Sequence, residues 1–349
     1  MKKFAVLLSV LLVVSMISGL FISCSKETTT TAAQPSTTTK QPVVLKFASA
    51  ATGNYQGGEK AFADAFNARC GPDYTIEYYP AGEMLAFPEL LDGIRTGAAD
   101  IGAVTPNANS ADEAKLGAVE IPFLLNNLEA HIYAVPKLKP LYAEILEKQF
   151  NQKLLCLHNY TGMALISTKP VKTLDDWKGL MVQSISPVIS NMIEALGGAP
   201  VSGQPYTESY SLLEKGTVDA VITAPAAMRI FALPDVAKYM TSAYMSPALH
   251  GFSINLDSWN KLPKNIQDIL VEEAEKQSDV IDNWLRGEWK TDHESLAASG
   301  VDIYTVPQDE VAKWKAACQK VTDELLAKYG DFGQKVMDIA NEANAKYPN

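Results

Sequence analysis

The side chains able to carry out chemistry are spread through this sequence in ways that do not assemble a catalyst. Four histidines, His131, His158, His250 and His293, lie far apart, with no HExxH or comparable ligand spacing. The cysteines Cys24, Cys70, Cys156 and Cys318 form no CxxC. A serine nucleophile would need an elbow such as GxSxG, and phosphate handling a Walker loop or a strand-borne GxGxxG; none is present. Asp175-Asp176 could be imagined as a carboxylate pair, but neighbouring side chains point apart. Thr173 to Trp177 reads better as a helix start. What remains is a set of residues suited to holding a molecule at loops and strand ends: Tyr55, Gln56, Asn107, Asn159, Tyr160, Tyr244 and His250. No metal and no cofactor is expected.

The composition agrees with a soluble binding domain. Of 349 residues, 40 are acidic and 30 are Lys or Arg, giving a formal charge of −10. Apolar types at 47% and charged types at 20% exclude a disordered chain, a collagen-like chain and a multispan membrane protein. The acidic balance argues against a nucleic-acid partner, which would be met by a basic face. The length suggests about two domains.

The amino terminus predicts export. Lys2 and Lys3 precede an apolar run from Phe4 to Ile22, and Phe21-Ile22-Ser23-Cys24 resembles a bacterial lipobox. Residues 1–23 are therefore expected to be a signal peptide, with an uncleaved anchor helix as the alternative. Residues 24–42 are expected to be a lipidated Cys24 and a Thr-rich flexible tether, since Ser25 to Pro42 has almost nothing to bury. The chain would sit outside the cytoplasm, held to a membrane by lipid. Three cysteines then remain, allowing at most one disulfide.

The elements that must position the binding residues alternate strand and helix from Val43 onward, an α/β pattern. One motif occurs twice. Gly97-Ala-Ala-Asp100 and Gly216-Thr-Val-Asp219 each follow a helix, precede an apolar strand, and are followed by a Pro six residues after the Asp, Pro106 and Pro225. Two related lobes would place loops 105–109 and 223–227 across a cleft, beyond the carboxyl ends of strands. Apolar residues from Ile266 to Leu285 recur at helical spacing and predict one long helix between Pro263 and Gly300. A strand from Val301 to Val306 and helices starting near Gln308 and Phe332 complete the chain.

In this order and spacing, several segments resemble the extracytoplasmic solute-binding proteins of tripartite ATP-independent periplasmic (TRAP) transporters. They are Tyr79-Pro80-Ala81-Gly82, the two Gly-x-x-Asp motifs, Glu120-Ile-Pro-Phe-Leu124, Lys169-Pro170 through Leu180, Gly198-Ala-Pro200, Glu208-Ser-Tyr210 and Asn255 to Pro263. The resemblance implies a two-lobed, hinged α/β fold of the periplasmic-binding-protein (Venus flytrap) kind and no catalysis. Its implied partners are one small-molecule solute and integral membrane permease subunits driven by an ion gradient. Lobe I is expected to be 43–161 with about 250–288, and lobe II 162–249 with about 289–349.

The resemblance also marks departures. The Arg that pairs with a substrate carboxylate is replaced by Gln183, an upstream Arg by Met163, and the Asn after Gly-x-x-Asp by Thr223. The first-lobe polar positions are Ala50 and Thr105, and Tyr206 stands where the family often has an aromatic on the ligand. A carboxylate buried without its Arg would be costly, so a neutral or largely apolar solute is expected. Lys60 or Arg229 could supply a displaced cation, which would instead favour an organic acid. A secreted sensor or enzyme on the same scaffold is the alternative from another class.

Overall fold

The computed structural model describes residues 41–51 and 55–348. The expected signal peptide, Cys24 and nearly all of the tether lie outside the described residues. The chain runs β1 (Val43–Ala48), α1 (Tyr55–Cys70), β2 (Tyr74–Tyr79), α2 (Leu90–Thr96), β3 (Ile101–Val104), α3 (Leu128–Phe150) and β4 (Gln152–Gly162). It then enters β5 (Ala164–Ser167), β6 (Met181–Gln183), α4 (Pro187–Leu196), β7 (Ala199–Val201), α5 (Ser209–Glu214), β8 (Ala220–Thr223), α6 (Pro225–Ile230) and β9 (Tyr239–Ser242). It returns through β10 (Pro247–Asn255), α7 (Leu256–Asn260), α8 (Lys264–Ala298), β11 (Asp302–Thr305), α9 (Gln308–Ala317), α10 (Gln319–Tyr329) and α11 (Asp331–Lys346).

Two mixed sheets result. The first is ordered β2-β1-β3-β10-β4 and the second β11-β9-β5-β8-β6-β7. In the first, β2, β1 and β3 are parallel while β10 runs against β3 and β4. In the second, β7, β6 and β8 are parallel and β5 runs against both β8 and β9. The chain changes sheet three times, twice through short crossings and last through α7 and α8, which lead from β10 to β11. Met163 alone separates β4 from β5, and Ala243 to Ser246 separate β9 from β10. The two crossings are bonded to each other: Met163 N donates to Ser246 O, and Met245 N donates to Met163 O, each at 3.0 Å. At Gly162 a Cβ would lie 2.2 Å from the Tyr244 ring, so the crossing admits no side chain there.

The repeated motif has one geometry in both sheets. Gly97 and Gly216 both take positive φ, 79° and 66°, closing the preceding helix. Asp100 Oδ2 then accepts from Lys46 N at 2.9 Å, and Asp219 Oδ2 accepts from Met181 N at 3.0 Å. Each Asp thus accepts a backbone N–H of the neighbouring parallel strand, β1 or β6. The two prolines each open a short helical turn after the strand.

Phe47, Phe62 and Phe252 pack together under α1 and α8, with ring centroids 5.1 to 5.7 Å apart. Trp177 and Trp314 meet edge to face beneath the second sheet. The long helix appears as α8, an unbroken 35 residues. Its Ile266 to Leu285 face packs with the first sheet, and its far end, Leu296, packs with the second. The carboxyl terminus forms three helices where two were expected. Of these, α9 packs on the second sheet, but α11 lies on α3, with Val336 and Ala340 in the core that contains Leu138 and Tyr142. Cys70, Cys156 and Cys318 are all buried and free.

Candidate functional site

The positions singled out from sequence fall mainly at strand ends where the two sheets approach. After β3, Thr105 is nearly buried and Pro106 turns the chain so that Asn107 points inward. Asn107 Oδ1 accepts from Leu249 N at 3.0 Å, and its Nδ2 donates to Glu120 Oε1 at 2.8 Å. Glu120 is 1% exposed, and its other oxygen accepts from Ser186 Oγ at 2.7 Å. Ser186 is the N-cap of α4, on the second sheet. One buried carboxyl thus joins the loop after β3 to the helix after β6. Burial pushes Glu120 up to about 7, against the opposing pull of the Ser186 and Asn107 hydrogen bonds.

On the second sheet, Thr223 ends β8 and is buried, and Tyr206 stands beside it. The Tyr206 hydroxyl donates to Ile222 O at 2.9 Å, and burial raises its pKa far above the usual phenol value. Glu120 and Tyr160, both on the first-sheet side, lie near enough to Tyr206 to disfavour its ionisation further. Tyr160, at the end of β4, stacks on His250 with centroids 5.4 Å apart, and His250 Nδ1 lies 3.3 Å from His158 Nε2. Burial lowers the pKa of both imidazoles, so they stand neutral. Glu59 of α1 is 1% exposed beneath them; Tyr78 OH donates to its Oε2 at 2.5 Å while Oε1 has no hydrogen-bond partner. Burial pushes Glu59 up to about 7.

Several of the expected groups have defined partners. Gln183, expected to face the cleft, is fully buried and bonds within its own lobe. Its Nε2 donates to Gln204 O and Pro205 O at 3.2 and 3.1 Å, and its Oε1 accepts from Ser209 Oγ at 2.6 Å. Gln183 ends β6 beside the Gln204-Pro205 turn that precedes α5, so the carbonyls of that turn lie within reach of its amide. Tyr244, also expected at the cleft, lies in the crossing between β9 and β10. It is held at φ 47° with its hydroxyl 2.9 Å from His131 Nδ1. Both proposed cations are paired with acids. Lys60 pairs on the surface with Asp64, and Arg229 donates to Asp292 Oδ1 from Nε and Nη2 at 2.9 and 2.7 Å.

Met163 is buried in the crossing and packs into the second core. Tyr55 and Gln56 open α1, and their side chains lie outside the described residues. Sequence reading missed Glu59, Glu120 and Ser186. Glu120 carried a signal: it is the acid inside the apolar run Gly117 to Leu125. The groups acting on Glu59, Glu120, Tyr160 and Tyr206 are hydroxyls, amides and one another's charges, with no Lys or Arg among them. No cluster able to hold a metal is found among the described residues.

Comparison with known proteins gives one consistent picture. The family model for bacterial extracellular solute-binding protein, family 7 (DctP), matches residues 46–329. The C4-dicarboxylate-binding protein DctB of Bacillus subtilis is 22% identical over 307 residues, covering 84% of this chain and 85% of the relative. Among solved structures, DctP7, a Bordetella pertussis extracytoplasmic solute receptor binding pyroglutamic acid, superposes with a TM-score of 0.79 at 21% identity. That match covers 86% of this chain and 99% of the receptor. A TRAP periplasmic solute-binding protein from Roseobacter denitrificans with bound β-D-glucuronate gives a TM-score of 0.78 at 17% identity, covering 85% and 98%.

Proposed function

The chain belongs to bacterial extracellular solute-binding protein family 7, the solute receptors of TRAP transporters, and on that premise we propose that it captures a neutral or largely apolar solute. It is a receptor and not an enzyme, and such receptors deliver their solute to membrane permease subunits. One observation supports the solute class: no Lys or Arg acts on the buried carboxyls Glu59 and Glu120. Glu59 and Glu120 are both pushed to about 7 by burial. The similar structures hold pyroglutamic acid and glucuronate, both organic acids. In this chain the corresponding Arg positions are Gln183 and Met163, and both candidate substitutes, Lys60 and Arg229, are paired elsewhere. An anion placed here would meet uncompensated desolvation and nearby carboxylates.

The residues supporting this reading are Thr105, Asn107, Tyr160, Met163, Tyr206 and Thr223, with Thr223 offering a polar contact and the tyrosines apolar faces. A thermal-shift panel of carboxylates against their own amides and methyl esters tests it. A neutral member at about 100 times its dissociation constant should add ~2.7 kcal/mol, several degrees in Tm, while its acid adds nothing. Stabilisation by the acid alone would overturn the neutral-solute reading and leave the receptor assignment intact. We further propose that Cys24 carries the lipid anchor after removal of residues 1–23. Cys24→Ser should then release the receptor from the membrane fraction or leave it unprocessed, and unchanged fractionation and mass would rule the anchor out.

A further inference from the structure

Away from Thr223 and Tyr206, which do not line it, lies a cavity of about 160 Å³. It opens where β9 and β11 end, beyond β5 from the strands that lead to the cleft. Its walls are mixed: Phe123, Tyr244, Trp289 and Val311 supply aromatic and apolar faces, and Ser242 and Gln308 are among its polar residues. The Tyr244 and Trp289 rings stand 5.6 Å apart at 53°. Such a volume lies in the range that admits a single aromatic ring.

Lys315 of α9 brings a cation into this setting. It is half-buried, burial lowers its pKa, and its ammonium donates to the neutral amide Asn126 Oδ1 at 3.1 Å. No carboxylate lies within ion-pair distance of it among the described residues. Twelve other lysines have such a partner. A partly desolvated ammonium facing a cavity without a counter-charge is stabilised by an anion that enters it. The approach is also basic. Past Trp289 the cavity meets a shallow mouth lined by Arg286 and Lys346, where the acid Glu129 is taken up by Arg286 at 2.9 and 3.1 Å.

We propose that this cavity is a second ligand site, distinct from the cleft, for a small organic anion with a flat apolar body. Its carboxylate sits on Lys315 and its ring lies against Tyr244 and Trp289. Because Tyr244 belongs to one crossing, an occupant there also touches the segment about which the sheets move. The inference does not depend on the class of the transported solute.

Binding of 4-fluorobenzoate to the full chain, followed by fluorine NMR, tests the proposal. Saturable binding is expected for 4-fluorobenzoate and not for 4-fluorobenzamide, a comparison that needs no variant. Lys315→Gln should weaken the benzoate about tenfold or more, the scale of a lost charge-assisted hydrogen bond. Tyr206→Ala, in the cleft, should leave it unchanged. Absence of saturable binding, equal binding of the amide, retention in Lys315→Gln, or loss in Tyr206→Ala would each overturn the site.

Discussion

Glu120 is the side chain on which the electrostatics between the sheets turn. Its folded pKa, about 7, exceeds the ordinary 4.5, so the folded state binds its proton more tightly than the unfolded chain does. The resulting stabilisation is full below about pH 4.5 and is lost as pH rises through about 7. Glu120→Gln keeps a neutral group of the same shape between Asn107 and Ser186. It should be more stable than the wild type at pH 8 by ~1–3 kcal/mol and equal to it near pH 4.5. Urea midpoints across that range check this, and a variant less stable at pH 8 would show that the charged form is the one the fold prefers. Gln183 makes the complementary point. Gln183→Leu should cost ~1–3 kcal/mol of stability by leaving the Gln204 and Pro205 carbonyls without their donor. It should change solute affinity little, as titration calorimetry would show. Residue type revealed that the family's Arg was missing at position 183. It could not reveal where the replacement points, because a strand-end side chain is claimed by whichever neighbour needs a donor, and that neighbour lies 21 residues on in sequence.

At the scale of elements, the two Gly-x-x-Asp joins show how much of the fold was readable. The same residue types at the same offsets produce the same backbone hydrogen bond, from Lys46 in one sheet and Met181 in the other. Local chemistry of that kind is written in the sequence. So is α8, whose apolar spacing persists from Ile266 to Leu296. The partner of an amphipathic helix is not written there: α11 shows an apolar face, but nothing in its spacing selects α3 over the second sheet. The crossing was also hidden, since its specificity comes from Tyr244 folding onto Gly162 across a long stretch of chain. Gly162→Ala should therefore cost ~1–3 kcal/mol, because the Tyr244 ring or the crossing must move to admit a methyl group. Thermal unfolding at fixed pH measures this; a neutral effect would mean that the crossing yields freely.

For the molecule as a whole, two sheets joined by a pair of mutually bonded crossings, with α8 packing against both, form a hinge of the binding-protein kind. Buried acids and buried histidines oppose each other in its pH response. Glu59, Glu120 and Asp282, all pushed up to about 7, lose stabilisation as pH rises above the ordinary carboxyl range. His131 and His158, pushed down to about 3 and about 4, lose it as pH falls below 6.5. The two slopes offset between about pH 4.5 and 6.5, so stability should be broad there and fall on either side. A maximum above pH 8 would contradict this. Closure over an apolar solute should compact the chain in solution scattering and show a negative heat-capacity change in calorimetry. The central claim is the nature of that solute, and native mass spectrometry of the purified protein, followed by denaturing extraction and identification of the retained small molecule, tests it most directly. The account predicts recovery of a neutral or apolar compound; recovery of a carboxylate bound in the cleft would contradict it.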